Sequence, residues 1–483
     1  MARIAVIGAG MGAMAAAARL AVAGHRVTVY ERTTTYGGAV GSFARDGFVF
    51  DTGPGLLQLP AVYRDLFVKT GREPLEKCVQ LVQVDPASRH LFADGTDVLL
   101  PNASRAGAVE ALDAALGGGA GARWGAFLDR ARETWDRTRR PLLEEPLPAD
   151  TAPLGRDPYP ALRTGLLRRS ASTLGEVGSR ELRDPRLTAL LASYALAHGF
   201  DPLTAPASAA VLPYMEQTFG NWYVRGGMRA LADAVYERCL ARKVAFEFSA
   251  EVTDVREKDG RACGVGLAGG GCAEADHVVA GAPVAGVPSG PWPNRETGAR
   301  TGRVVVCLAL RGDRPADTAH RTVVHGGQGA PPVVTVLRPG DPALIPGPGH
   351  ESLTLTVTVP VPGGTGGGGQ WTGEDAEARA EAFADRVVAA AEAAVPGLRE
   401  RVLWREVRTP ADTLRETGAL QVPGPALAGA GGRLLPAPNR SPLPGLHLAG
   451  GWSHPGGGLA HAGMSGALAA GLIVEGEGFR GSQ

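Results

Sequence analysis

The sequence predicts an α/β protein. A Rossmann-like, dinucleotide-binding domain is assembled from N-terminal, middle and C-terminal segments, with an α+β domain inserted. Three observations carry this. The stretch Gly8 to Ala13, GAGMGA, sits between an apolar run and an alanine-rich one. A second strand-like run, RVTVYE, ends in Glu31, about 20 residues beyond those glycines. Far along the chain, GLHLAGGWSHPGGGLAHAGMSG again reads strand, glycine-rich loop, helix, so both ends of the chain share one domain.

Ile4 to Ile7 is an apolar strand leading into Gly8 and Gly10, with small Ala13 in the third fingerprint position. AMAAAARLAVAG is a strong helix ended by Gly24. A helix opened this way offers free N–H groups and a positive dipole end to a pyrophosphate. Glu31, closing the second strand, is placed to accept from ribose hydroxyls.

Residues 85 to 215 read as mostly helical with proline-rich connections such as EEPLPADTAPLGRDPYP. Ala122 to Arg140 carries an apolar stripe of Trp124, Leu128, Ala131 and Trp135, and Pro141 is expected to end it. LTALLASYALAHGF and ASAAVLPYM either line a tunnel or form an ordinary core. RGGMRALADAVYERCLARK is a helix opened by glycines, and VAFEFSAEVTDVRE follows as strands.

GVGLAG, Gly264 to Gly269, fits the fingerprint letter for letter, but no helix opens after it. RACGVGL, AGGGC and AEADHVVAGAPV read as strand, turn and returning strand, so the glycines are hairpin chemistry and no second, NAD(P)H site is expected. RVVVCLALRG, PPVVTVLR and SLTLTVTVP are strand signals. GGTGGGGQ (363–370) is expected to be a surface loop, and a long amphipathic helix follows, with Thr372 and Asp375 placed as a capping box.

Composition narrows the class. The 483 residues hold 49 basic and 49 acidic side chains, so no global charge favours a nucleic-acid partner. Five cysteines without a C-x-x-C argue against a zinc ribbon or dithiol pair and suit a reducing compartment. MARIAVIGAG enters a strand directly, which leaves no room for a signal peptide, and no run suits a membrane span. A cytoplasmic protein is expected. Peripheral contact with the inner membrane face, or with an acidic carrier protein, is read from six arginines on residues 122–140 (Arg123, Arg130, Arg132, Arg137, Arg139, Arg140) against Asp129, Glu133 and Asp136.

With these motifs in order, the chain resembles the phytoene desaturase-like FAD-dependent oxidoreductases within the flavin amine oxidase superfamily. The motifs are residues 5–43, DGFVFDTGPGLL (46–57), VRGGMRALADAV (224–235) and residues 445–466. The resemblance implies an FAD domain of glutathione reductase type from residues 1–75, 220–300 and 430–483. It implies a substrate domain from 76–219, mainly helical, and 301–429, strands plus the long helix. It implies that Gly8, Gly10, Met11 and Ala13 form the pyrophosphate turn and that Glu31 takes the ribose. Gly37 and Gly38 would run by the phosphates, and the loop from Asp51 through Pro54 and Gly55 beside the isoalloxazine. Val252 would meet the adenine, and Gly451, Leu459 and Met464 would border the flavin. Ala39 stands where the family often has Arg, so Arg32 is a candidate replacement.

The implied chemistry is dehydrogenation of a long apolar substrate, an isoprenoid or a polyene acyl chain. Hydride leaves for flavin N5, and His454 or His461 is the candidate proton acceptor. Isomerases, saturases, amine oxidases and the non-catalytic Rab escort proteins share the scaffold. No Lys follows Lys258, which counts against an amine oxidase with a lysine beside its flavin.

Overall fold

The computed structural model describes residues 1–162, 171–282, 301–327, 331–361, 369–421 and 423–481. Its centre is a five-stranded parallel sheet ordered Ala245–Phe248, Arg26–Glu31, Arg3–Ile7, His277–Ala280, Leu446–Leu448. The strands come from three distant stretches of chain. The N-terminal helix Met11–Val22 and the C-terminal helix Leu459–Val474 pack together. Small residues allow the crossing: a Cβ on Gly466 would lie 2.2 Å from the Gly12 carbonyl oxygen and 3.0 Å from Ala15 Cβ.

A seven-stranded sheet runs Val402–Arg408, Thr301–Arg311, His350–Pro360, Val333–Leu337, Arg321–His325, Ser88–Leu91, Asp97–Leu100. Leu353, Leu355, Val357 and Val359 alternate inward under the helix Ala376–Ala391, which gives this sheet its own core. A third core, around Trp124, Phe127, Leu128, Leu190 and Leu212, belongs to the helices between residues 105 and 219. The C-terminal helix joins two cores: Ala469 and Ala470 face the parallel sheet's cluster, and Ala460, Met464 and Leu468 face the helical one. No helix among the described residues is long and apolar enough to cross a membrane.

Several expectations need correction. The stretch from 85 to 215 is not mainly helix at its start, because Ser88–Leu91 and Asp97–Leu100 form a hairpin that extends the large sheet. Arg321–His325 and Val402–Arg408 are further strands with weak local signals. The α-helix Ala120–Arg139 does end beside Pro141, as expected. Beyond it the backbone widens into a π turn over Arg140–Glu144, since the proline has no N–H with which to continue the α-helical ladder. The capping box at Thr372 and Asp375 does not form: Asp375 is the N-cap but its side chain makes no cap bond. Such a box closes at Thr409 instead, whose N–H and hydroxyl both donate to Asp412 at 2.7 and 2.8 Å. The stretch read as one returning strand after residue 272 is two, Cys272–Glu274 and His277–Ala280, in different sheets. Asp276 forms the break, accepting from the Arg3 N–H at 2.7 Å. Most of GGTGGGGQ lies outside the described residues.

GVGLAG lies within the strand Arg261–Leu267 and its turn, antiparallel to Val252–Lys258 and Cys272–Glu274. Its glycines answer to the sheet: a Cβ on Gly264 would fall 2.2 Å from the Ala273 carbonyl oxygen, and one on Gly266 2.2 Å from Asp254 Oδ2.

Candidate functional site

The first turn is built to leave room. Gly8 adopts φ 84° and donates its N–H to the Tyr30 carbonyl at 2.8 Å. Gly37 donates to the Ala9 carbonyl at 2.8 Å and bridges Gly10. Gly38 closes over the same point, since its Cβ would lie 3.1 Å from Gly10 Cα. A Cβ on Gly10 itself would meet nothing within 4 Å. Met11 begins the helix there, with no side-chain cap and no acid in its first turn. Open space in front of unpaired helix N–H groups suits a pyrophosphate. Ala13 is buried behind them, and a Cβ on Gly281 would come 2.5 Å from its Cβ, so helix and strand touch through small residues.

Glu31 is buried and holds the turn. Oε2 accepts from the Ala9 N–H at 2.7 Å, and Oε1 accepts from the Thr33 N–H and hydroxyl at 2.9 Å each. A carboxylate has about four lone-pair sites, so Oε2 keeps one for a ribose hydroxyl. Ser249 and Ala250 donate to the Thr33 and Glu31 carbonyls at 2.9 Å, which brings half-buried Val252 to the same edge.

Arg32 does not join the group. It is exposed and donates to the Arg415 carbonyl at 2.8 Å. Arg229, which sequence reading missed, stands beside the Gly37–Gly38 turn instead. Nη1 donates to the Tyr36 carbonyl at 2.7 Å, the guanidinium lies 4.2 Å from the Tyr36 ring centroid, and Nε donates to Asp233 at 2.8 Å. Asp51, expected at the head of the loop beside the ring, is turned to a helix start instead. Its carboxylate accepts from the Met228 and Arg229 N–H groups at 2.8 and 3.1 Å, capping the helix Arg229–Ala241, and burial pushes its carboxyl up to about 6. Gly53 follows, where a Cβ would fall 1.9 Å from the Ala39 carbonyl oxygen. Half-buried Pro54 and Gly55 then reach the large sheet at Leu337.

The C-terminal loop is held rigidly. Ser465 Oγ accepts from the Gly450 N–H at 3.1 Å and meets Ser453 Oγ at 2.8 Å, and Asn439 donates to the Leu448 and His454 carbonyls. A Cβ on Gly12 would come 2.6 Å from Gly450 Cα, so this loop lies against the first helix. Gly451 is half-buried near Pro423, and Met464 is buried among the helices. Leu459 starts a helix with no side-chain cap and no acid in its first turn, and its carbonyl accepts from the Tyr63 hydroxyl at 2.9 Å. Two uncapped helix starts therefore meet at this loop, which fits a cofactor with phosphates at one end and an electron-accepting ring at the other.

The histidines differ. His454 is fully enclosed. Its Nε2 donates to the Glu145 carbonyl at 2.9 Å, Nδ1 has no partner, and burial lowers its pKa to about 4. His461 is half-buried in the first turn of the C-terminal helix and faces an apolar cavity walled by Trp135, Leu142, Leu143, Val211 and Met215. Burial, with His198 and His454 nearby, lowers its pKa to about 3. Of the two stretches that might line a tunnel, 208–215 contributes to this cavity, whereas Leu187, Leu190 and Leu191 fill the helical core.

The basic helix is internally paired. Arg130 meets Glu181, Arg132 Asp136, Arg137 Glu133, Arg139 Glu144 and Arg140 Glu145, while Arg123 donates to the Leu182 carbonyl. That reduces the positive charge free to meet an anionic surface.

The model of the flavin containing amine oxidoreductase family matches residues 14–474. The chain belongs to that family of FAD-dependent oxidoreductases. It is 34% identical over 277 residues to the 4,4'-diapolycopene oxygenase of Methylomonas sp, covering 57% of this chain and 55% of that protein. It is 32% identical over 291 residues to the zeta-carotene-forming phytoene desaturase of Myxococcus xanthus, covering 58% and 53%. The chain thus spans about half the length of the curated relatives it matches. Among solved structures, an oxidoreductase from Methanosarcina mazei aligns over 98% of this chain and 100% of its own with a TM-score of 0.66. A putrescine oxidase bound to putrescine aligns over 98% and 99% with 0.64. At 16% identity each, they show the fold alone.

Proposed function

We propose that this protein dehydrogenates a long apolar substrate of isoprenoid or polyene type, using FAD as hydride acceptor. The observation that carries the reading is the pair of uncapped helix starts, at Met11 and Leu459, that meet at the C-terminal loop, with a small apolar cavity beside the second at His461. The printed names of the relatives, a diapolycopene oxygenase and a phytoene desaturase, support the same substrate class.

The residues divide the work. Gly8, Gly10, Gly37 and Gly38 leave space for the pyrophosphate, and the first helix stabilises its charge. Glu31 takes the ribose, and the edge at Val252 takes the adenine. Pro54, Gly55, Gly451 and Met464 border the ring. FAD, when bound, supplies the two-electron acceptor. The amides opening the helix at Leu459 would hold the electron-accepting end of the cofactor and favour negative charge there. Trp135, Leu142, Leu143, Val211 and Met215 exclude water and align the chain. At neutral pH both histidines are uncharged, and conjugate acids near 3 and 4 make them weak bases. His454 positions the loop through its hydrogen bond to the Glu145 carbonyl.

The test uses the purified, FAD-loaded protein. Denaturation should release FAD into the supernatant. Incubation with a partly saturated polyene should red-shift its absorption as hydrogen is lost, read also by mass. A correctly folded protein that ignores added FAD, or that leaves every such polyene unchanged with an artificial electron acceptor present, sinks the reading.

A further inference from the structure

The cavity beside the C-terminal helix is lined by one polar side chain that makes no hydrogen bond among the described residues. Its other polar wall residues are engaged. Thr138 Oγ1 donates to the Thr134 carbonyl at 2.8 Å, Ser208 Oγ to the Ala428 carbonyl at 2.5 Å, and Arg139 pairs with Glu144 at 3.2 Å. The His461 ring has no hydrogen-bond partner among the described residues, although it is half-buried against the apolar wall. Neither ring nitrogen is among the fully buried, unpartnered polar atoms, so water or a ligand oxygen can reach the ring.

We infer that the natural substrate carries a hydroxyl or carbonyl oxygen on its otherwise apolar chain, and that His461 holds this oxygen and so determines specificity. This rests on the reading that the cavity takes the substrate. The ring's chemistry selects the partner. Burial and the neighbouring His198 and His454 keep it neutral, so it presents one N–H donor and one lone pair. A hydroxyl matches both, and a carbonyl matches the N–H. An ammonium group would call for a carboxylate, and among the described residues the one charged side chain lining the cavity is Arg139, already paired. A bare hydrocarbon leaves the imidazole unpaired on closure, a loss of about tenfold in affinity. The ring's place in the first turn of Leu459–Val474 puts the oxygen at the cofactor end, which sets how far along the chain the reacting carbons lie.

Trp135 lines the cavity and provides an intrinsic probe. The FAD-loaded protein is titrated with a linear polyene hydrocarbon and with the same polyene bearing one terminal hydroxyl, each in detergent micelles. Quenching of tryptophan fluorescence and retained polyene absorbance report binding. The hydroxylated probe should bind about tenfold more tightly. His461→Phe, which keeps the bulk, should lose that preference while still binding the hydrocarbon, and His461→Gln should restore part of it. FAD content shows that each variant is folded. Equal binding of both probes by the wild type overturns the inference. So does a preference that survives in His461→Phe, or a loss of both probes alike in that variant. Turnover is followed separately. Preference without hydrogen loss from either probe would count against the dehydrogenase reading and leave the recognition role standing, whereas turnover of both without preference would do the reverse.

Discussion

Gly10 and Gly12 stand two residues apart and answer to different neighbours. A side chain at Gly10 would project into space that the protein leaves open, whereas one at Gly12 would strike the backbone of Gly450 and Ala462 at 2.6 Å. Gly10→Val should therefore abolish FAD binding while the cofactor-free protein melts near the wild-type temperature. Gly12→Ala should lower the melting temperature itself. Scanning calorimetry with and without FAD separates the two, and equal loss of stability in both variants would contradict the assignment. Asp51 adds a pH signature. Its folded pKa is raised from 3.8 to about 6, so the folded state holds the proton more tightly than the unfolded one. Its contribution to stability then falls as pH rises through that window and is level above it. Asp51→Asn should gain on the wild type in melting temperature between pH of about 4 and about 6. A pH-independent difference would refute this.

At the scale of elements, context decides what a motif becomes. GVGLAG and GAGMGA differ by little as strings, yet one is a strand in an antiparallel sheet and the other precedes a helix. Gly266→Ala drives a methyl group against Asp254 and should loosen the small sheet, lowering the melting temperature while FAD content is kept. Loss of FAD in a folded Gly266→Ala protein would mean that this hairpin takes a direct part in holding the cofactor.

For the whole molecule, the sheet order puts strands from both chain ends and the middle around one cofactor cradle. The second fingerprint is spent on an antiparallel strand, which presents no helix N-terminus to a phosphate. NADH or NADPH mixed anaerobically with the FAD-loaded protein should therefore leave the flavin band unbleached at catalytically useful rates. Fast, saturable bleaching by either would show that a second dinucleotide is bound.

Legible in the sequence alone was the strand–turn–helix that we propose as the cofactor cradle, because its geometry is local. Gly8, Gly10, Ala13 and Glu31 act within one strand, turn, helix and strand, and glycine spacing reports that directly. The N-terminal and C-terminal motifs could be assigned to one domain for the same reason. Tertiary structure decided what depends on partners distant in sequence. Arg229, not Arg32, reaches the Gly37–Gly38 turn because the helix it opens packs there. Strands Ser88–Leu91 and Asp97–Leu100 exist because the edge of the large sheet receives them. His454 and His461 are alike in sequence terms, seven residues apart in one glycine-rich motif. Only packing encloses the first against Glu145 and turns the second toward the cavity, since burial and hydrogen bonding are set by whatever the fold brings alongside.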